Sequence, residues 1–286
     1  MWVRTRAVVA SGVVLVVLAA VGIWIVARKV GGQLRLPLAS RMCTVQADGR
    51  VSLDADQMAN AATISAIGIQ RKMPERAVVV ALATAYQESG LRNLAGGDRD
   101  SVGLFQQRPS QGWGTPEQIR DPRYAAGKFY AGLKKVRGWE QMRITDAAQK
   151  VQRSAFPEAY QKWADESEVL TRALLGHATG AVACTVGRDP VMRGAAAADA
   201  LTRGLSLDWG LAGTTAATDL TGLTVPAVDE RRGWRYAHWL VSHAQDHGVK
   251  RVRFGDLEWT ARGGTWNRTG DVAASGRVVA EVFAEA

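Results

Sequence analysis

From Ala77 to Tyr86 the chain runs ten residues without a charge, apolar nearly all the way round a helix, and one carboxylate, Glu88, closes the run. A helix that is apolar on every side belongs in a core and not on a surface, so other elements must pack around this one. Pro74 suits the first helical position, where its missing N–H costs nothing. Gly90 suits the stop. Glu88 is then an ionisable group at the end of a buried element. Burial raises a carboxyl pKa, and the negative end of a helix pushes the same way. A carboxylic acid kept protonated near neutral pH can donate that proton in general acid catalysis. A solvated helix-end residue and a pair with Arg92 are the alternatives.

The length of 286 residues suggests about two domains. Ala7 to Ala27 is a second apolar run, 21 residues without a charge. That is enough to cross a bilayer as a helix. Arg4 and Arg6 precede it and favour a cytoplasmic N-terminus, with Arg28 and Lys29 weakening the asymmetry. The expectation is an uncleaved membrane anchor with the bulk of the chain extracytoplasmic, a cleaved signal and secretion being the rival.

The net charge of +9 divides unevenly. Residues 1–40 hold five basic and no acidic side chains; residues 41–185 hold nineteen and fifteen; residues 186–286 hold twelve of each. The excess therefore sits largely at the apolar segment. No block of Lys and Arg with interleaved aromatics follows it, which argues against a nucleic-acid partner. The only cysteines, Cys43 and Cys184, lie 141 positions apart (184 − 43). On the outer face of a membrane they are expected to pair. Neither metal-type spacing nor a C-x-x-C motif is present.

Along the chain, 31–50 reads as a tether with Gly31, Gly32 and Pro37. Asp54 and Gln57 form a capping-box pattern before an amphipathic helix over Asp56–Arg71. Further helices are expected over 122–136, 145–154 and 157–175, and no period-two run marks a strand. Ala95–Ser101 is a loop. The aromatics Trp113, Trp139, Trp163, Tyr124, Tyr130 and Tyr160 suit either a core or a wet cleft. Trp113, in a glycine-flanked loop, is the best candidate for a cleft wall. After Cys184 an Ala-rich helix over 188–203 and a Gly/Thr/Ala linker over 211–228 lead to an amphipathic helix at 233–247. Strands are expected at 250–254, 257–261 and 277–283. His243 and His247 stand at i, i+4 on that helix, with His238 before them. No third ligand is evident, so a solvated helix face is the reading and no metal is expected.

Glu88-Ser89-Gly90-Leu91 with Asn93, followed by Gly103-Leu104-Phe105-Gln106 and Pro109, resembles the motif pair of the soluble lytic transglycosylase family, lysozyme-like enzymes that cut peptidoglycan glycan strands. The chain resembles the membrane-anchored actinobacterial type. The likeness spans roughly Val51–Leu175. It implies a helical domain in which Glu88 is the sole catalytic carboxylate, with Ser89 beside it and Gln106 in the cleft. Gln107 is grouped with Gln106 as substrate-binding, as is Trp113. The family's later Y-N-A-G segment is absent. At about that place stands Ser154-Ala155-Phe156-Pro157-Glu158-Ala159-Tyr160, and Tyr160 is the stand-in for the family's active-site tyrosine.

The expectation is thus a mainly α chain. Residues 1–30 form a stub and transmembrane anchor, 31–50 a tether, 51–185 a lysozyme-like domain, 186–230 a helix and linker, and 231–286 a small α+β module. The implied activity is cleavage of the MurNAc-GlcNAc bond without a cofactor, on peptidoglycan strands. One alternative is a hydrolytic muramidase using Asp98 or Asp100 as second carboxylate. The other is an inactive peptidoglycan-binding scaffold.

Overall fold

The buried helix is the hub of the structure. A computed structural model describes residues 42–187, 189–211, 216–218, 222–270 and 274–285. In it Ala77–Tyr86 are all buried within helix α2 (Glu75–Ser89). Around α2 pack α1 (Ala55–Gln70), α4 (Pro122–Leu133), α5 (Ile144–Gln152) and α6 (Ala164–Leu174), with the short α3 (Pro116–Ile119) beside α4. The ends of these helices are local chemistry. Asp54 accepts from the Gln57 N–H at 2.9 Å while the Gln57 side chain accepts from the Asp54 N–H at 3.0 Å, the reciprocal capping box. Gly90 ends α2 in the left-handed region at φ 62°, where a Cβ would be strained.

Strands β1 (Met42–Gln46), β2 (Arg50–Asp54) and β3 (Val182–Cys184) form an antiparallel sheet in the order β2-β1-β3. It joins the beginning of the helical region to its end. Cys43 and Cys184 are opposite each other on β1 and β3 and form a disulfide. The hairpin lies where a tether was expected over 31–50. Its alternation is real, with Cys43, Val45, Val51 and Leu53 buried. It spans only five residues per strand, though, and the β1 partner β3 comes more than 130 positions later.

Beyond β3 the chain forms α7 (Gly194–Trp209), β4 (Ala216–Thr218), β5 (Gly222–Pro226), α8 (Glu230–Ser242), α9 (Ala244–His247), β6 (Val249–Gly255), β7 (Leu257–Thr260), β8 (Trp266–Arg268) and β9 (Ala274–Val282). The strands make a six-stranded antiparallel sheet, β4-β5-β9-β6-β7-β8. The stretch read as a linker over 211–228 therefore carries two of its strands. Gly, Thr and Pro there mimic loop composition, and β5 finds its partner β9 some fifty residues on.

The expected mainly α class is corrected by these two antiparallel sheets: the described residues mix helix and strand. Two tryptophans tie the larger sheet to the smaller one. Trp259 Nε1 donates to the carbonyl of Cys184 at 3.2 Å and Trp266 Nε1 to that of Val182 at 2.8 Å. Helix α8 packs against α1, α6, β3, β6 and β9. A buried polar junction adds to this. Asp208 on α7 accepts from Thr63 of α1 at 3.0 Å and from Trp239 Nε1 of α8 at 2.8 Å, and pairs with Arg123 of α4. Burial pushes the Asp208 carboxyl up, while the Arg123 guanidinium opposes that. The described residues form one compact unit. No described helix is long and apolar enough to cross a membrane. The Ala7–Ala27 segment lies outside the described residues.

Candidate active site

Glu88 sits in the last turn of α2 and is half-buried, less enclosed than its apolar run suggested. Its Oε1 receives two donors. The Tyr160 hydroxyl donates at 2.6 Å, and Gln152 Nε2 donates at 3.1 Å. The orientation of the Gln152 amide is determined independently, because Nε2 also donates to the carbonyl of Phe105 at 2.8 Å. A carbonyl oxygen only accepts, so it is the NH₂ end of Gln152 that faces Glu88. Burial, with the Glu88 charge adding to it, pushes the Tyr160 phenol well above its ordinary range, so this hydroxyl is a proton-bearing donor. Both donors meet on Oε1, and neither reaches Oε2.

Arg92, the sequence alternative as a partner for Glu88, pairs with Asp54 instead. Ser89 Oγ lies 2.8 Å from the carbonyl of Leu104 and 3.0 Å from that of Ala85. It ties the end of α2 to the motif loop and does not line the cavity. Leu104 and Phe105 are buried, with Phe105 stacked on Phe129 at 4.8 Å. The Gly103-Leu104-Phe105 motif is thus the wedge that sets the Phe105 carbonyl against Gln152.

A cavity of about 580 Å³ opens beside Glu88. Gln106, Gln107, Trp113, Gln152 and Phe156 line it, as does Asp98. Gln106 adopts the left-handed region at φ 46°, uncommon for a residue with a side chain. A Cβ on Gly97 would collide with Gln106 Oε1, so the loop glycine leaves the space this amide occupies. Gln107 is 2% exposed; its Nε2 donates to the carbonyl of Ala125 at 3.2 Å, while Oε1 has no partner among the described residues. Trp113 stands in the cavity wall, its carbonyl held by the Tyr124 hydroxyl at 3.1 Å. Phe156, 72% exposed, forms an aromatic lip.

The two loop aspartates differ. Asp100 accepts from the Ser110 N–H at 2.7 Å, the Ser110 hydroxyl at 3.0 Å and Arg108 Nε at 2.9 Å. These donors, the Ser110 N–H first, hold its carboxyl well below the usual carboxylate range. Asp100 is a loop clamp. Asp98 lies on the cavity rim with its side chain 90% exposed and only a 4.0 Å contact to Arg99.

Of the other aromatics, Tyr130 and Trp139 are core residues, Tyr130 donating to the carbonyl of Ile64 at 2.9 Å. Trp163 stacks on Tyr86 at 4.8 Å and donates to Gln87 Oε1 at 3.1 Å, which braces the segment carrying Tyr160. The histidines are not on a solvated face. His238 is fully buried, accepting from the Ala181 N–H at 2.9 Å on Nε2 and bonded through Nδ1 to the carbonyl of Ala173 at 2.8 Å. His243 is buried and stacked on Trp239 at 4.0 Å. Among the described residues no cluster of three His, Cys, Asp or Glu side chains could hold a metal.

Gln152 and Phe156 were not singled out from sequence. Nothing local marks Gln152, whose role depends on two partners far away in the chain. An apolar residue next to Pro157 in a polar loop was the available sign of Phe156. No family model and no curated protein matches the chain.

Proposed function

We propose that this chain cleaves the glycan strands of peptidoglycan as a lytic transglycosylase, with Glu88 as general acid and then general base. One observation carries the reading: Tyr160 and Gln152 both donate to Oε1 of a half-buried carboxyl beside a cavity large enough for sugar units. Such an arrangement holds the carboxyl in one orientation and leaves Oε2 for the transferred proton. Trp113 and Phe156 offer ring faces and Gln106 offers an amide, the mix that sugar sites use.

In this mechanism Oε2 of Glu88 gives its proton to the glycosidic oxygen as the C–O bond to the muramic sugar breaks. The N-acetyl group of that sugar assists as positive charge develops at the anomeric carbon; substrate assistance is a known route for glycosidases lacking a second carboxylate. The sugar's own 6-hydroxyl then bonds to the anomeric carbon and returns its proton to Glu88, closing a 1,6-anhydro ring. No water is consumed and no cofactor is needed. The Tyr160 and Gln152 hydrogen bonds stabilise the carboxylate in the interval when Glu88 is charged.

A hydrolytic muramidase is the second reading, and the place of Asp98 on the same cavity rim favours it over one using Asp100, whose two oxygens already accept from Ser110 and Arg108. The disulfide suits an oxidising compartment, in keeping with action outside the cytoplasm and anchoring through Ala7–Ala27. Zymography on purified peptidoglycan tests the proposal. Clearing by the wild-type chain that is lost in Glu88→Gln supports it. No clearing by the wild-type chain, with binding to the wall retained, supports the scaffold reading in its place.

A further inference from the structure

A second cavity, of about 550 Å³, adjoins the Glu88 cavity and shares Gln111, Trp113, Gln152 and Arg153 with it. Its remaining lining includes Lys135 and Lys150 and no carboxylate. Lys135 ends the α4 side, Lys150 lies in the last turn of α5, and Arg153 follows that helix. None of the three cations forms an ion pair among the described residues, while neighbouring Arg143 is paired with both Asp146 and Glu158. Arg153 holds its place in the left-handed region at φ 53°, a conformation that costs a side-chain-bearing residue about 1 kcal/mol or more relative to glycine. Three cations on one concave surface, with Lys150 partly offset by Asp146 one turn earlier, raise the local concentration of anions.

We infer that this second cavity is a subsite for the carboxylate-bearing peptide branch of the glycan strand whose sugars occupy the Glu88 cavity. The inference rests on the proposed function and adds a specificity to it. The two cavities adjoin at Gln111, Trp113, Gln152 and Arg153, so a branch leaving a ligand near the scissile bond lies within reach of the second cavity. A peptide branch ends in carboxylates, and Lys ammonium and Arg guanidinium groups recognise these by charge-assisted hydrogen bonds. Gln152 touches both cavities and also donates to Glu88, so occupancy of the cationic side abuts the residue that orients the acid.

Binding measured by calorimetry on the full chain carrying Glu88→Gln, which does not consume its ligand, tests this. The probes are glycan oligomers with their stem peptides, the same oligomers stripped of peptide, free stem peptide, and inorganic polyphosphate. The expected result is tighter binding of the peptide-bearing oligomer. That preference should fall roughly tenfold in Lys135→Gln/Lys150→Gln, the loss of two solvent-screened charge contacts. High salt should reduce it in the same way. Arg137→Gln, an exposed cation outside both cavities, should leave the preference in place and so exclude an effect of net charge. An equal loss for both oligomers in the double variant, or no loss, overturns the subsite. Polyphosphate binding more tightly than the peptide-bearing oligomer also overturns it, in favour of a phosphate polymer. Charge-dependent binding of free stem peptide, with neither oligomer bound, upholds the anionic subsite and removes the glycan-cleaving reading.

Discussion

The hydroxyl of Tyr160 donates to Oε1 of Glu88 at 2.6 Å, joining residues 72 positions apart in the chain. The Tyr160 ring is buried, so the contact is held by packing around the ring and not by the hydrogen bond alone. Tyr160→Phe keeps that packing and removes one donor to a group that becomes charged. Such bonds contribute about 1.5–3 kcal/mol, so glycan cleavage should slow roughly ten- to a hundredfold with the fold retained. Release of soluble fragments from peptidoglycan measures this. An unchanged rate would remove the hydroxyl from the mechanism.

Glu88→Gln should reduce cleavage by at least about 100-fold, the usual span for a lost general acid or base. Its amide oxygen can still accept from Tyr160 and Gln152, so melting should move little. Unaltered cleavage by a folded Glu88→Gln variant would sink the proposed chemistry.

The product separates the two enzymatic readings. Transglycosylation leaves a 1,6-anhydro muramic end, lighter by one water than the reducing end left by hydrolysis, and mass spectrometry of released fragments distinguishes them. The anhydro product is expected, and it should persist in Asp98→Asn. A reducing-end product that disappears in Asp98→Asn would establish a second carboxylate, for which inverting enzymes keep a separation of roughly 6.5–9.5 Å.

Loss of the Cys43–Cys184 disulfide should lower stability by about 2–4 kcal/mol, because the bond closes a separation of 141 residues in the unfolded chain. Cys43→Ser/Cys184→Ser should therefore melt roughly 5–15 °C lower than the oxidised wild type. Equal melting temperatures for the two would show that the paired strands alone hold this edge.

Burial pushes the His238 imidazole down to about 4, against an unfolded value near 6.5. The folded state binds the neutral ring, with Nε2 accepting from Ala181. The stability this contributes is complete above about pH 6.5 and is lost as pH falls toward 4, on the order of 3 kcal/mol for a shift of this size. His243 and His247 are shifted the same way by burial and add to the trend. His238→Gln should be less stable at pH 7 and lose less between pH 6.5 and 4 than the wild type. Denaturant melts across that range read the difference, and parallel curves for the two proteins would assign the acid sensitivity elsewhere.

Much of the helical region was legible because its signals are local. The capping box at Asp54 and Gln57 and the glycine stop at Gly90 each depend on neighbours within four residues. The long helix expected over 157–175 instead breaks into a turn before α6, because Tyr160 and Trp163 are drawn to Glu88 and Tyr86. The short strands were missed for the opposite reason. Five residues carry too little alternation to stand out, and β1 and β5 become strands by finding partners that lie far along the chain.

By itself the sequence determined the buried helix Glu75–Ser89, its ends, and the carboxylate that closes it, since apolar periodicity and end residues act over one or two turns. The cysteine pair was also readable, as the only pair available. Only the tertiary structure decided that Tyr160 and Gln152 meet on one oxygen of Glu88, that Asp100 is locked while Asp98 stays on the rim, and that three cations gather beside the cleft. Those relations join side chains from separate elements, and their geometry is set by how helices and sheets pack rather than by any local propensity.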